Sequence, residues 1–210
     1  MGRLTIAATQ FGDIVNGNYS EFESDGTLKF NGNATVWTDL RVPISNVKVG
    51  GTKTPTFTAY RGGLVLAFAD QAVEGNEEIA YFLVQLDHSY KQETALSPHV
   101  HWASEDGNTL KNVVWKLTYS WADINGMFGA ETPLTATGAC PEEYYHKLTA
   151  FDDITPPAFT GDGVSSMLIC SISRNSSNAA DTYASKSAYL LEVDFHYEKD
   201  TVGSRQEAVK

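Results

Sequence analysis

The chain has 210 residues, of which 42% are aliphatic or aromatic, and it carries a formal charge of −11. This length suits one large domain or one domain with an arm, and ten Tyr, ten Phe and four Trp argue against a disordered chain. The acidic charge argues against direct binding to nucleic acid, which needs clustered Lys and Arg, and against docking on an anionic membrane. No apolar stretch typical of a signal peptide or a membrane-spanning helix occurs, so neither is expected.

Residues 1–35 are predicted to form an N-terminal arm or a small edge hairpin. Phe22 and Leu28 flank the turn signal Ser24-Asp25-Gly26, which is typical of a hairpin. The segment is mostly polar with scattered apolar residues, so it could pack on a neighbouring subunit.

Residues 36–199 are predicted to form the main domain, beginning with several short strands. Residues 36–43 read as an extended segment that ends at a proline, which cannot serve an inner strand. Residues 56–60 and 64–68 read as two strands around Arg61-Gly62-Gly63. Residues 79–86 carry apolar side chains on both faces, which predicts a strand covered on both sides.

The middle of the chain is predicted to be a central hairpin. Residues 99–102 and 112–121 alternate with the two-residue period of strands, and Asp106-Gly107 between them is a strong turn signal. The alternation places Val100, Trp102, Val113, Trp115, Leu117, Tyr119 and Trp121 on the core face. It places His99 and His101 on the opposite face.

The rest of the chain is predicted to add two strands and a long irregular stretch. Residues 132–160 contain four prolines and read as loops, with one possible helical turn at 142–148. Residues 166–174 and 189–197 read as strands, and residues 200–210 as a tail that is mobile alone or ordered on a partner. Short strands with hardly any helix indicate an all-β, two-sheet antiparallel sandwich, for which a jelly roll is the preferred topology.

The two cysteines, Cys140 and Cys170, are predicted to be free thiols. A domain of this size does not need a disulfide for stability, although the sequence leaves a pairing open.

The histidines are the strongest candidates for chemistry. His99 and His101 lie on one face of a strand, and His196 has a similar place two residues after Asp194. A cupin-like metal site would use His99, His101 and His196 with Glu105, since imidazole and carboxylate groups are common metal ligands. The favoured interpretation is structural, with these imidazoles hydrogen-bonded across a sheet face or at a subunit contact. We therefore predict no catalytic residue and no cofactor.

Exposed aromatic residues are candidates for contacts with other molecules. Trp121 and Tyr144 could stack on sugars, or they could lie in the core or at a protein interface. The residues predicted to lie at an interface are His99, His101, Trp121, Tyr144 and Arg205.

Several short motifs, spread over residues 36–206, resemble a widespread family of tailed-bacteriophage virion proteins. They are Trp37-Thr38-Asp39-Leu40, Gln85-Leu86-Asp87-His88-Ser89-Tyr90, the run 96–102 (LSPHVHW), the run 113–122 (VVWKLTYSWA), Arg174 with Asp181-Thr182-Tyr183, Asp194-Phe195-His196-Tyr197 and the run 200–205 (DTVGSR). Members of this family are known as structural proteins of the particle, and the family supplies no catalytic residues.

The resemblance implies a non-enzymatic capsid cement or decoration protein. Such a protein would sit as a homotrimer on the outer capsid surface and clamp neighbouring copies of the major capsid protein around the DNA-filled head. Two alternatives remain open at this stage. One is a tail fibre or another tail-associated receptor-binding component, and the other is a cupin-like metal-dependent enzyme.

Overall fold

The computed structural model describes residues 9–50, 53–71, 73, 75–159, 161, 163–207 and 209–210. The chain is 50% strand and 3% helix, which confirms the all-β class. Fourteen strands are described: β1 (Thr9–Asp13), β2 (Asn18–Phe22), β3 (Leu28–Asn31), β4 (Val36–Pro43), β5 (Lys48–Val49), β6 (Thr56–Tyr60), β7 (Gly63–Phe68), β8 (Ile79–Gln85), β9 (Ser97–Ser104), β10 (Asn112–Ala122), β11 (Thr132–Ala139), β12 (Lys147–Ala150), β13 (Met167–Arg174) and β14 (Ala188–Lys199). In the described part of the chain, the helical content consists of two single 3₁₀ turns, Gly32–Ala34 and Ile44–Asn46.

Two antiparallel sheets form the sandwich. The five-stranded sheet has the order β11-β10-β13-β8-β5, and the six-stranded sheet has the order β12-β9-β14-β7-β6. The sixth strand, β4, pairs with the Glu192–Lys199 part of β14, whereas β7 pairs with its Ala188–Leu190 part. The long strand β14 is therefore the centre of its sheet. The jelly-roll topology stays a prediction.

The core lies between the two sheets and is built from the alternating inward side chains of both. Trp102 of β9 meets Trp115 of β10 edge to face, with ring centroids 6.0 Å apart, and Phe68 of β7 meets Trp115 at 5.4 Å. Both tryptophans are fully buried, and Trp121 is 4% exposed. The predicted core face of the middle segment is confirmed.

The predicted central hairpin is wrong, because β9 and β10 belong to different sheets. β9 pairs with β12 and β14, whereas β10 pairs with β11 and β13. A hairpin would have set Trp102 and Trp115 side by side on one sheet. The connection at Asp106-Gly107 instead crosses the sandwich, so that the two indole rings meet through the core.

The strand at residues 79–85 is covered on one face only. Ala80, Phe82 and Val84 are buried, but Tyr81 and Leu83 on the other face keep 44% and 63% of their exposure. The prediction that both faces are covered is wrong for the single chain.

The stretch 132–160 contains two strands that the sequence pattern does not reveal. β11 consists of small and polar residues with Pro133, and it pairs with β10 at the edge of the five-stranded sheet, where a proline is tolerated. The helical turn predicted at 142–148 is also wrong, because β12 begins at Lys147. Short polar strands like β11 are defined by their pairing, and local patterns therefore miss them.

The segment 9–31 contacts the C-terminal tail of the chain. Residues 9–31 form a separate three-stranded antiparallel sheet, β1-β2-β3. The C-terminal tail lies beside it, with Thr201 bridged to Lys29 and the Arg205 Nε 3.4 Å from a carboxylate oxygen of Asp25. The tail therefore has contacts within the chain, whereas it was predicted to be mobile when alone or ordered on a partner. Among the described residues, no helix is long and apolar enough to cross a membrane.

Candidate functional site

The histidine face is the outward surface of β4, β14 and β9, and it gathers most of the chain's imidazoles. Cross-strand pairing sets Arg41 opposite Asp194 and Asp194 opposite His99. The next outward rows place Asp39 opposite His196, and Glu192 opposite His101. The two-residue period of the strands therefore brings together side chains that lie up to 157 positions apart in sequence.

Asp194 is the most buried charged group of the histidine face, at 5% exposed. One carboxylate oxygen lies 3.1 Å from His101 Nε2 and the other lies 3.2 Å from His99 Nδ1. The contact with His99 lacks hydrogen-bond geometry, so Asp194 Oδ1 is a buried acceptor without a hydrogen-bond partner. A buried carboxylate is costly unless donors surround it, and the two imidazoles are the groups placed to supply them.

His146 completes the cluster, and sequence reasoning missed it. Its ring stacks on that of His101 with centroids 4.9 Å apart, and His146 Nε2 lies 2.7 Å from His101 Nδ1. One imidazole nitrogen must donate and the other accept in this pair. His146 precedes β12 in a segment without strand alternation, so nothing local indicated its position.

Exposed residues of β4 border the cluster. Trp37 stacks in parallel on His196 with centroids 5.0 Å apart, and His196 Nδ1 lies 2.5 Å from Asp39. Arg41 makes a two-pronged contact with Glu192 at 2.5 and 2.6 Å, and this hydrogen-bonded carboxylate raises the pKa of Arg41. These side chains contact each other, and the contacts fix their positions on the surface.

The predicted cupin-like ligand set is not assembled. His99 and His196 have ring centroids 6.0 Å apart and contact different aspartates. Glu105 instead accepts hydrogen bonds from Lys186 and from the backbone of Ser187. Within the part of the chain that the structure describes, no group of three His, Cys, Asp or Glu side chains could hold a metal ion.

The other residues predicted to lie at an interface are found in different parts of the structure. Trp121 is buried and donates to Ser166 Oγ at 2.9 Å, so its placement at an interface is wrong and its placement in the core is right. Tyr144 is 49% exposed, and the Arg61 guanidinium lies 3.4 Å from its ring centroid. Arg205 is exposed beside Asp25. The structure therefore brings His99 and His101 together and leaves Tyr144 and Arg205 apart from them.

Other residues of the sequence motifs form buried braces. Arg174 is 1% exposed, and its guanidinium contacts both carboxylate oxygens of Asp181, at 2.6 and 2.9 Å. The same guanidinium donates to the Tyr183 carbonyl at 2.6 Å. The carboxylate of Asp181 also accepts from the backbone of Val114, so this brace ties the 175–187 connection to β10.

A second brace joins the loop after β8 to β14. Asp87 accepts hydrogen bonds from Tyr197 at 2.7 Å and from the backbone of Ser89 at 2.7 Å. Burial acts to raise the pKa of Asp87, but these hydrogen bonds outweigh it and the pKa is lowered. Burial raises the pKa of Tyr197 to about 12, so the phenol stays a donor at neutral pH.

The two cysteines are free, as predicted, and both are buried. Burial raises the pKa of the Cys140 thiol to about 12 and that of Cys170 further. Neither thiol is therefore a candidate nucleophile near neutral pH.

Comparisons with known proteins give no family for this chain. No family model matches it, and no curated protein matches it. Among solved structures, a Paenibacillus sp. cycloisomaltooligosaccharide glucanotransferase is similar with a TM-score of 0.37 and 11% identity, over 73% of this chain and 17% of that chain. A family 30 carbohydrate-binding module is similar with a TM-score of 0.36 and 12% identity, over 82% of this chain and 92% of that chain. Likenesses at this level carry no functional argument.

Proposed function

We propose that this chain is a non-enzymatic structural protein of a tailed-bacteriophage virion, and that it serves as a capsid cement or decoration protein. The observation that supports this proposal most is where the motif residues lie. Arg174 with Asp181, and Asp87 with Tyr197, pair within the fold and hold connections against strands. These residues stabilise the β-sandwich and do not line a catalytic cleft. This fits a structural protein that must resist mechanical stress.

The proposed role names a location and partners. The protein would lie on the outer capsid surface as a homotrimer and clamp copies of the major capsid protein against the pressure of packaged DNA. The histidine face supplies donors and acceptors for such a contact, with His99 and His101 about one-fifth exposed. The charge of −11 suits an outer surface, away from DNA phosphates.

The test uses phage particles that lack this protein. Such particles should release DNA at a lower temperature than complete ones, and adding back the purified protein should restore the release temperature. A matched add-back with Asp194→Asn asks whether the histidine face makes the capsid contact. Unchanged particle stability, together with cryo-electron microscopy that places the chain on the tail, would contradict the proposal.

A tail-associated receptor-binding component is the second candidate, and one observation favours it. Tyr144 and its neighbour Tyr145 are exposed at 49% and 62%, and Arg61 lies against the Tyr144 ring. Exposed aromatic rings beside a cation can stack on sugars. Binding to a glycan array that is lost in Tyr144→Ala, but kept in the control Tyr81→Ala in β8, would support this candidate.

A further inference from the structure

The contact between His101 and His146 brings two imidazole nitrogens together on the histidine face. His101 lies on β9, and His146 directly precedes β12, which pairs with β9. His101 Nδ1 and His146 Nε2 lie 2.7 Å apart, and the two ring planes are parallel to within 17°. The fold therefore joins two ring nitrogens from residues that are 45 positions apart in sequence.

The carboxylate of Asp194 decides which nitrogen of His101 is free to act as a ligand. Asp194 Oδ2 lies 3.1 Å from His101 Nε2, so it holds the ring proton on that nitrogen. Nδ1 of the neutral ring then keeps its lone pair, and Nδ1 is the atom next to His146. Histidines that bind metals almost always donate their other ring N–H to a carboxylate, a backbone carbonyl or water. The contact between Asp194 and His101 has this arrangement.

Asp194 is almost fully buried, and one of its oxygens has no hydrogen-bond partner. The residue is 5% exposed, and its Oδ1 accepts no hydrogen bond from the residues that the structure describes. A buried carboxylate is costly when its oxygens are unsatisfied, and positive charge placed nearby reduces that cost. A cation bound to His101 would supply such a charge.

A cleft lined by both histidines has room for a metal ion with its water ligands. Its volume is about 490 Å³, and its lining includes the ionisable side chains of Asp39, Arg41, His101, His146, Glu192 and Asp194. Three carboxylates against one guanidinium give the cleft a negative potential that attracts cations.

We propose that His101 Nδ1 and His146 Nε2 bind one divalent transition-metal ion such as Zn²⁺, and that Asp194 positions the His101 ring. Imidazole suits Zn²⁺, Cu²⁺ and Ni²⁺, whereas Mg²⁺ prefers oxygen ligands. Tetrahedral zinc about 2.1 Å from each nitrogen would separate the two nitrogens by about 3.4 Å, so the pair must open by roughly 0.7 Å from its present 2.7 Å. His146 is exposed, so its ring is free to make this movement.

The site has two protein ligands, and it therefore differs from the three-ligand group that the described residues lack. Water fills the remaining positions on the ion. The ion would tie the segment before β12 to β9. Metal binding should stabilise the folded chain, because the unfolded chain does not hold the two imidazoles together. The site lies within one chain and does not depend on the proposed capsid role.

Isothermal titration calorimetry of the untagged full-length chain with ZnCl₂ at neutral pH tests the proposal. We expect one Zn²⁺ per chain, a melting temperature that rises with added zinc, and no binding of Mg²⁺. His101→Ala and His146→Ala should each weaken zinc binding by at least about tenfold, since each removes one of the two protein ligands. Asp194→Asn should weaken it by about tenfold without changing the number of ions bound. Circular dichroism verifies that each variant is folded.

His196→Ala is the matched control, because His196 lies on the same face but contacts Asp39 and Trp37. This variant should bind zinc as the wild-type chain does. Cu²⁺ gives a second readout, since electron paramagnetic resonance should detect two coordinated imidazoles in the wild-type chain and one in His146→Ala.

A wild-type chain that binds no zinc would overturn the proposal. So would undiminished binding in His146→Ala, which would place any bound ion elsewhere. An equal loss of affinity in His196→Ala and His146→Ala would also overturn it, because the ligands would then include the histidine of the cupin-like set.

Discussion

At the scale of single residues, removing one partner of a buried ion pair is expected to cost more stability than removing one partner of an exposed pair. Arg174 and Asp181 form a fully buried ion pair, with side chains 1% and 2% exposed. The sequence flagged Arg174 and Asp181 only as parts of a motif. Their pairing could not be read from the sequence, because it depends on how the 175–187 connection folds back on β10. The burial explains why both charges occur together.

Arg174→Met should lower the free energy of unfolding by about 3–5 kcal/mol, because it leaves the buried Asp181 carboxylate without its partner. Chemical denaturation of the purified variant measures this loss. Arg205→Met is the matched control, since Arg205 and Asp25 form an exposed pair at 3.4 Å and its loss should cost no more than about 1 kcal/mol. Equal losses in the two variants would contradict a bracing role for Arg174.

At the scale of elements, the connection between β9 and β10 shows where local patterns mislead. Asp106-Gly107 satisfies the rule for a tight hairpin, yet seven residues separate the two strands and carry the chain from one sheet to the other. Asp106 is held there by the Tyr183 hydroxyl, which donates to its carboxylate at 2.8 Å. Gly107 has a φ of +68°, and a Cβ atom at this position would collide with the backbone of Glu143. The glycine serves a close approach between two connections.

Gly107→Ala should therefore destabilise the fold by more than its backbone conformation alone requires. The left-handed conformation costs an alanine about 1–2 kcal/mol, and the collision with Glu143 adds to that. Gly62→Ala is the control, because Gly62 has a φ of +81° with nothing within 4 Å of the added atom. Thermal unfolding of both variants checks the difference, and a smaller loss for Gly107→Ala would refute the close approach.

At the scale of the whole molecule, acidity sets how the protein responds to pH. The sequence pI is about 4.8, so the net charge disappears near that pH and solubility should be lowest there. Stability should fall at lower pH than this, and Asp87 contributes to that fall. Its pKa in the folded chain lies below the ordinary value of 3.8, so the unfolded chain binds the proton more readily. The stability from Asp87 is present above about pH 3.8 and disappears as the pH falls through the lowered pKa.

Asp87→Asn should flatten the decline of the melting temperature as the pH falls below 3.8, because the variant has no carboxylate to protonate there. Melting curves by circular dichroism across that range measure the slope. Asp25→Asn is the control, since the pKa of Asp25 is also lowered, by a hydrogen bond from the Thr27 backbone, but the group is exposed to solvent. A parallel decline for Asp87→Asn and the wild-type chain would show that the Asp87–Tyr197 brace does not control acid stability.

The sequence by itself determined the elements with strong two-residue periodicity. β10 and β14, and the core face of Trp102 and Trp115, follow from alternating apolar residues, since burial of one face enforces that alternation, whereas β8 follows from a short apolar run. The outward direction of His99 and His101 follows from the same rule. Composition also indicated the all-β class.

Only the tertiary structure decided which strands pair and which distant side chains meet. In the structure, β9 and β10 lie in different sheets, and β11 forms a strand by pairing with β10. His146 contacts His101. One face of β8 is open to solvent, although the sequence of β8 is apolar on both faces. These outcomes depend on contacts between residues far apart in the chain, and local periodicity carries no information about such partners.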